Sequence, residues 1–575
     1  MEAFRRQNFN HEVAREVKQG NVLRKCSILS TNPRQRGNEL YKSKKHDSKI
    51  HETILSLYSE SIAFAPEGSE ELALGYSNRS ALLLHLHRPK NSLIDIARAL
   101  KMTKSTDLRR KLFSRKANCL ELIDKSTDPE DYDTSDELEI PAFTPSKEVP
   151  CAADCVKIVY NKQFGRHIIA TRDIEPGEVI TAETSYAAFP NGNQLYLNCS
   201  HCLCLAWNGI PCDSCAHFIF CSEECKKEAW NAYHDIECRI IPYIFLNITE
   251  KSNYASIMTS ARIFITAAKK EGIKNMLEIA ESIDKQDSCT SVWSNKGFNY
   301  ETFSSCYNLI THENSFEHEQ IYKCQANIIL NLLYTYTDII NTLQKTDSDA
   351  KNSYDIVQIF SALEKILIKL LKIVAFNSYG YEIHHGTYHL KVKNQFLMPD
   401  SVKGIIVTLF SAFFNHSCYP NISRIFMPKR KMATITILPV KKGEQLSIDY
   451  GVSIVTEKQG RQAYLKHNYH FTCECEGCKN DLTARNLLKL VPDHNLNCSS
   501  KFLYEYYKIV SSSLKRHGEL TMDAESIKTA IEICKLLRKN LKDHDALRYS
   551  YQYSCFLADA FVYHYQEKCK IPDKC

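Results

Sequence analysis

Between residues 199 and 238 the chain carries Cys199-x2-Cys202, Cys212-x2-Cys215, Cys221-x3-Cys225 and His234-x3-Cys238, and no other stretch restricts the fold so tightly. Eight ligands at this spacing make two tetrahedral zinc sites, both structural because four protein ligands leave no open position. The last two pairs have i,i+4 spacing, which sets both ligands on one helix face. Ser222 is the expected N-cap of that helix, with Glu224 in its first turn. Cys204, in the same run, is a spare thiol with no metal assigned. The chain has 24 cysteines in all. The segment Met1–Gln7 is polar and has no apolar signal core, so a reducing setting is expected, in the cytoplasm and nucleus, where clustered cysteines mean metal more often than disulfide.

At 575 residues, 44% of them hydrophobic, the chain has room for three or four domains. The longest apolar runs, Ile240 to Ile248 and Gly404 to Phe414, fall short of the ~20 residues a membrane span needs. No membrane partner is expected. A net charge of +6 is small for this length and argues against a dedicated nucleic-acid binder, although residues 1–50 hold 12 Lys/Arg against 5 Asp/Glu.

The first 36 residues show no pattern. From Gly37 onward helical spacing takes over, and Ile62-Ala63-x-Ala65 recurs as Ile96-Ala97-x-Ala99, an offset of 34 residues. That is the tetratricopeptide period, in which each repeat is a helix pair that uses small residues where helices cross. Residues 128–139 carry dense like charge and form a solvated linker. Alternation in Val156 to Tyr160, in His167 to Ala170 and in Met432 to Ile437, with a turn at Glu175-Pro176-Gly177-Glu178 before Val179-Ile180, reads as short strands. Residues 239–376 read as mostly helical, for example Ile328 to Leu333 and Val357 to Val374. Beyond Cys478 the pattern is helical again, with Ile527, Ala530, Ile531 and Cys534 at i, i+3, i+4, i+7.

The chain is organised around Asn415-His416-Ser417-Cys418-Tyr419-Pro420-Asn421. An apolar run that stops at this loop places several polar side chains at the buried end of a core element, where they need dedicated partners. Some thirty residues on comes Gly443-Glu444-Gln445-Leu446-Ser447-Ile448-Asp449-Tyr450, and then Cys473-x-Cys475-x2-Cys478. That ordered trio resembles the SET domain of protein lysine methyltransferases. Gly165-Arg166-His167 through Gly177-Glu178 resembles the opening of the same domain, with His167 where the family has its second glycine. Asn377-Ser378-Tyr379-Gly380-Tyr381-Glu382-Ile383 resembles its Asn-Ser-Phe-x-Ile cofactor segment with two residues added. The eight-ligand run resembles the MYND finger. Together these look like the SET- and MYND-domain (SMYD) methyltransferases, in the subgroup with an N-terminal repeat-like extension.

The resemblance implies an α+β multidomain fold: a β-rich SET domain split by a MYND zinc finger and a helical insert, flanked by helical regions that are TPR-like. The layout is 1–36 undefined, 37–127 TPR-like helices, 128–145 acidic linker, 146–198 first part of SET, 199–238 finger and 239–376 helical insert. Then follow 377–451 SET core, 452–480 post-SET zinc segment and 481–575 C-terminal helices.

In the finger family the pairs cross-brace, so Cys199, Cys202, Cys221 and Cys225 hold one ion, and Cys212, Cys215, His234 and Cys238 the other. Cys418 joins Cys473, Cys475 and Cys478 on a third zinc. S-adenosylmethionine is the implied cofactor, with contacts from Gly165, Arg166, His167, Asn377, Asn415, His416, Tyr450 and Phe471. Tyr450 is the catalytic residue, and Tyr381 and Phe471 are candidate channel walls. The implied partners are a protein substrate with a target lysine, and peptides docked by the finger and the TPR-like helices, on a monomer. The competing class is a catalytically weak adaptor or transcriptional co-regulator, favoured by His167 and the Tyr379-Gly380 insertion and opposed by Asn415, His416 and Tyr450.

Overall fold

The N-terminal half of the described chain opens with five helices, α1 (Ser27–Tyr41), α2 (Ser48–Phe64), α3 (Glu70–His85), α4 (Pro89–Met102) and α5 (Thr106–Lys125), each packed on its neighbour in sequence. This is a computed structural model, and it describes residues 25–43, 48–125, 142–247, 254–285, 301–312, 316–340, 356–382, 402–454 and 456–481. The acidic stretch 128–139 and the C-terminal helical pattern lie outside the described residues.

Helix α1 starts ten residues before the first helical residue read from the sequence. Ser, Thr, Asn, Pro33 and Gly37 look locally like a turn, but Pro33 and Gly37 are buried, and a Cβ at Gly37 would stand 2.6 Å from the Tyr58 ring. Close helix packing overrides the local signal. The two Ile-Ala-x-Ala copies sit at the ends of α2 and α4. Ile62, Ala65, Ile96 and Ala99 are buried in one cluster, whereas Ala63 is buried and Ala97 exposed. Inside the stack, Arg79 on α3 makes a two-pronged ion pair with Asp95 on α4, at 2.7 and 3.0 Å, with both side chains at 0% exposure.

The β-rich part follows. Strands β1 (Val156–Asn161) and β2 (Gly165–Ala170) form a hairpin; β3 (Val179–Thr184) and β4 (Ala187–Pro190) come next. The chain then leaves for the finger, with the ribbon β5 (Ile210–Pro211) and β6 (Ile219–Phe220) and the helix α6 (Glu223–Ala229), which runs through one π turn into α7 (Asp235–Asn247). Ser222 caps α6 by accepting from the Cys225 N–H, and Glu224 lies in its first turn.

The helical insert is α8 (Tyr254–Glu271), α9 (Ile273–Asp284), α10 (Phe303–Tyr307), α11 (Phe316–Tyr336) and α12 (Ile356–Asn377). Helix α8 is apolar on almost every face and almost wholly buried, which makes it the spine against which β4 and α12 pack.

Strand β7 (Ser378–Glu382) returns the chain to the sheet beside β8 (Val402–Val407), which also pairs with β4. After β8 come a 3-10 turn (Ser411–Phe413) and β9 (Asn415–His416). Then β10 (Ile422–Met427) and β11 (Lys431–Thr436) join β3 in a second antiparallel sheet. The short β12 (Ser447–Ile448) runs parallel to β9, and α13 (Lys458–Tyr469) and α14 (Glu476–Lys479) close the described chain. Finger and helical insert thus interrupt a sheet whose strands are contributed from both sides of the interruption, as the α+β reading expects.

Candidate active site and zinc centres

The parallel pair β9 and β12 is the centre of the site, because it sets Asn415 beside Ser447 and His416 beside Ile448. Asn421 clamps the pair: its amide donates to the Gln445 carbonyl at 2.9 Å while its oxygen accepts the Ser447 N–H at 2.8 Å. Tyr450 follows directly. Its N–H donates to His416 Nδ1 at 3.0 Å and its hydroxyl to the Phe414 carbonyl at 2.8 Å. The left-handed turn at Gly451 (φ +85°) ends the strand, and a Cβ there would meet the Tyr464 hydroxyl at 3.2 Å.

The Tyr450 ring lies 4.8 Å from that of Tyr469, and His416 lies 5.3 Å from Tyr450 and 6.0 Å from Phe471. Burial, reinforced by Tyr469, pushes the Tyr450 phenol up, so it stays a hydrogen-bond donor. Burial holds His416 down to about 4, as a neutral ring. Of the candidate walls, Phe471 is in place, whereas Tyr381 turns to Phe426 and donates to the Met427 carbonyl. The Tyr379 phenol instead is pushed up by burial and, to a lesser degree, by Tyr450 and Tyr469, and its hydroxyl donates to the Ser411 carbonyl at 2.7 Å.

A second constellation adjoins the first. The Asn415 amide donates to the Phe164 carbonyl at the tip of the β1–β2 hairpin, at 2.9 Å. From that hairpin, Arg166 donates to the Asn308 carbonyl at 2.8 Å and stacks on Phe413. Gly165 adopts φ +64°. His167 folds onto its own hairpin, with Nδ1 2.9 Å from the Gly165 carbonyl and the ring against Phe164. Asn377 ends α12 by donating to the carbonyls of Ile373 and Ile310. Segment 308–312 was not visible as part of the site in the sequence, since it has no motif. It carries a buried side-chain amide, Asn308 Nδ2, with no hydrogen-bond partner, a donor left for a ligand.

Glu183 on β3 is a further residue that no spacing reveals. Its buried carboxylate accepts the N–H groups of Leu409, Phe410 and Ser411 and the Ser411 hydroxyl, at 2.6 to 3.0 Å. Burial pushes its pKa up and these four donors oppose that rise. The anion fixes the turn from which Phe414 to His416 emerge.

Three sets of four ligands converge: Cys199, Cys202, Cys221 and Cys225; Cys212, Cys215, His234 and Cys238; and Cys418, Cys473, Cys475 and Cys478. Neighbouring sulfurs stand 3.5 Å apart in the first set, 3.8 Å in the second and 3.5 to 3.9 Å in the third. Four sulfurs around zinc at about 2.3 Å require edges of about 3.8 Å, so the donor sets fit that ion. Cys204 is not one of these ligands; it neighbours the Cys202 thiol and accepts from the Lys429 N–H. In the second set, His234 Nδ1 lies 3.3 Å from Glu237, which Arg262 of α8 holds through its Nε and Nη2 edge. Arg262 also donates to the carbonyls of Ala188 on β4 and Ser200 of the finger, tying finger, insert and sheet together. In the third set, the wholly buried Arg461 reaches Cys478 Sγ at 3.5 Å and the carbonyls of Thr456 and Gly477.

Residues 165–451 match the family model described as the SET domain. The chain carries that domain and is a SET-domain protein. Across most of its length its relatives are SET and MYND domain proteins, at low identity. The zebrafish (Danio rerio) protein-lysine N-methyltransferase SMYD4 is 22% identical over 80% of this chain and 66% of its own length. A SET and MYND domain-containing protein of Dictyostelium discoideum is 24% identical over 55% of this chain and 80% of its own. The chain thus spans slightly under two thirds of the zebrafish relative. Among solved structures, the SET domain of LSMT bound to lysine and AdoHcy overlaps 73% of this chain and 86% of its own at 12% identity, with a TM-score of 0.21.

Proposed function

We propose that this protein is a protein-lysine N-methyltransferase that takes its methyl group from S-adenosylmethionine. The observation that carries the reading is the pair of hydrogen bonds donated by Tyr450, backbone N–H to His416 and hydroxyl to the Phe414 carbonyl, which joins an aromatic pocket to the Asn415-His416 loop. Arg166, Asn308, Asn377, Asn415, His416 and Phe471 would hold the cofactor, and Asn308 brings an unused donor to it. When bound, the cofactor supplies an electrophilic methyl on a sulfonium. The chain's own task is to deliver a neutral amine in line with it. Taking the proton from a lysine at pH 7 costs about 5 kcal/mol, and rings at Tyr379, Tyr450 and Tyr469 that strip water from the ammonium lower that cost. The Tyr450 hydroxyl and the Phe414 carbonyl orient the acceptor.

The two features that favour an adaptor are both accommodated. His167 bonds within its own hairpin, and Tyr379, inside the Tyr379-Gly380 insertion, donates to the Ser411 carbonyl in the turn that leads to Asn415 and His416. Zinc in the three ligand sets completes the chemistry as structure. None of the 18 described cysteines is in a disulfide, which supports a reducing setting in the cytoplasm and nucleus. The helical stack reads as TPR-like, and it and the finger are the surfaces where partner proteins would dock. Calorimetry with S-adenosylmethionine, followed by methyl transfer to core histones and to extract protein, tests the proposal. Cofactor bound without labelling of any protein would move the weight to the adaptor.

A further inference from the structure

Arg424 projects from β10 and donates to Asp449 at 3.0 Å, and the same carboxylate oxygen accepts the Gly451 N–H at 3.0 Å. The guanidinium lies 5.5 Å from the centre of the Tyr379 ring, within the range in which a ring face holds a cation. Asp449 is the residue before Tyr450. The side chains are 22% and 35% exposed, so the pair lies neither in the core nor free in water. An ordinary surface ion pair needs no aromatic neighbours. This one borders the pocket described above, and the Arg424 charge acts on Tyr379, Tyr450, Tyr469 and His416 alike.

Resting on the methyl-transfer reading of that pocket, we propose that the Arg424–Asp449 pair is a specificity element that admits the acceptor side chain as the uncharged amine. An aromatic pocket without fixed charge attracts ammonium through its ring faces. Here one ring face already has a cation beside it, so a second is disfavoured. Asp449 balances Arg424, so the entrance does not repel a cationic protein segment from afar. The acceptor gives its proton to water on entry and arrives with the lone pair that methyl transfer needs.

Other charged and titratable groups face the pocket from each element around it: Tyr379 on β7, His416 on β9, Tyr450 after β12, and Tyr464 and Tyr469 on α13. Arg461 on α13 and Glu183 on β3 are committed to the Cys478 loop and to the backbone of residues 409–411. Arg424 and Asp449 form an ion pair that borders these rings, with the Asp449 carboxylate also holding the Gly451 N–H.

The probe is Nα-acetyl-L-lysinamide, with its norleucine counterpart as the uncharged control, titrated by calorimetry in the presence of S-adenosylhomocysteine between pH 6 and 10. Arg424→Met leaves the Asp449 charge unopposed. It should tighten lysinamide binding at pH 7 about tenfold and move the midpoint of methyl transfer about one pH unit up. Asp449→Asn leaves Arg424 unopposed and should do the reverse on both counts. The double variant, an aromatic pocket without fixed charge, should bind lysinamide at pH 7 more tightly than wild type and keep a midpoint above it, while norleucine binding should not follow the charge. Shifts of the same sign in both single variants, or none, would overturn the inference while leaving the methyltransferase reading in place. A wild-type protein that binds cofactor but no lysinamide would sink the pocket assignment and this inference together.

Discussion

His416 Nε2 lies 3.2 Å from Cys418 Sγ while its other nitrogen accepts the Tyr450 N–H, so one imidazole bridges a zinc ligand and the proposed catalytic tyrosine. Because Nδ1 accepts, Nε2 carries the proton and points it at the sulfur. Zinc in the third ligand set therefore orients the ring that orients Tyr450. Cys418→Ser should lower zinc content by one ion per chain and weaken S-adenosylmethionine binding about tenfold, although residue 418 need not touch the cofactor. Elemental analysis and calorimetry on the same sample check this; full cofactor affinity with the ion lost would break the link.

Tyr450→Phe keeps the ring and deletes the bond to the Phe414 carbonyl. Turnover should fall about 100-fold or more with cofactor affinity spared, since the hydroxyl is proposed to act on the reacting groups. Equal labelling of extract protein by variant and wild type would remove Tyr450 from the chemistry.

Glu183→Gln replaces four accepted hydrogen bonds by an amide that can accept only through its oxygen. One or two buried N–H groups of residues 409–411 are then left facing a donor, at a cost of about 2 to 4 kcal/mol. Urea denaturation should show that loss, and cofactor binding measured well below the midpoint should weaken as well. A variant as stable as wild type would mean that the 409–411 turn holds itself.

Elemental analysis of the whole protein should find three zinc ions, and a strong chelator should lower its unfolding temperature. Fewer than two ions would contradict the finger, whose two ligand sets are cross-braced as Cys199, Cys202, Cys221, Cys225 and Cys212, Cys215, His234, Cys238.

Arg79→Met breaks a wholly buried ion pair and leaves the Asp95 charge without its two-pronged partner, an expected loss of about 3 to 5 kcal/mol. Because Arg79 also donates to the Gly209 carbonyl, limited proteolysis should cut between the helical stack and the finger sooner than in wild type. Adding Asp95→Leu should recover much of the stability, as the charge is then gone.

Much of the frame was readable in the sequence because metal ligands and catalytic loops advertise themselves by residue type and spacing. Ser222 capping α6 and the strands at 156–161 and 431–436 follow from local rules that the environment does not override. The start of helix α1 does not show in the sequence because Pro33 and Gly37 read as a turn, whereas Gly37 packs against Tyr58, a neighbour brought near by folding. Glu183 and Asn308 were invisible for a similar reason. Glu183 acts through backbone groups of a segment far away in sequence and Asn308 receives the distant Arg166 at its own carbonyl, and a lone Glu or Asn among many carries no periodic signal. The sequence reading takes Tyr381 as a channel wall, but an insertion obscures the register there; Tyr381 turns to the Met427 carbonyl and Tyr379 to the Ser411 carbonyl.

The arginines that join the parts of this molecule have one habit in common. Arg79 and Arg98 from the helical stack end on the carbonyls of Gly209 and Asn208, and Arg262 ends on those of Ala188 and Ser200. Every residue type offers the same carbonyl. The receiving segments can therefore exchange their side chains over evolutionary time without loosening the grip, and the burden of constancy falls on the donors. A protein jointed in this way can drift far from its relatives in sequence and still be assembled in the same order.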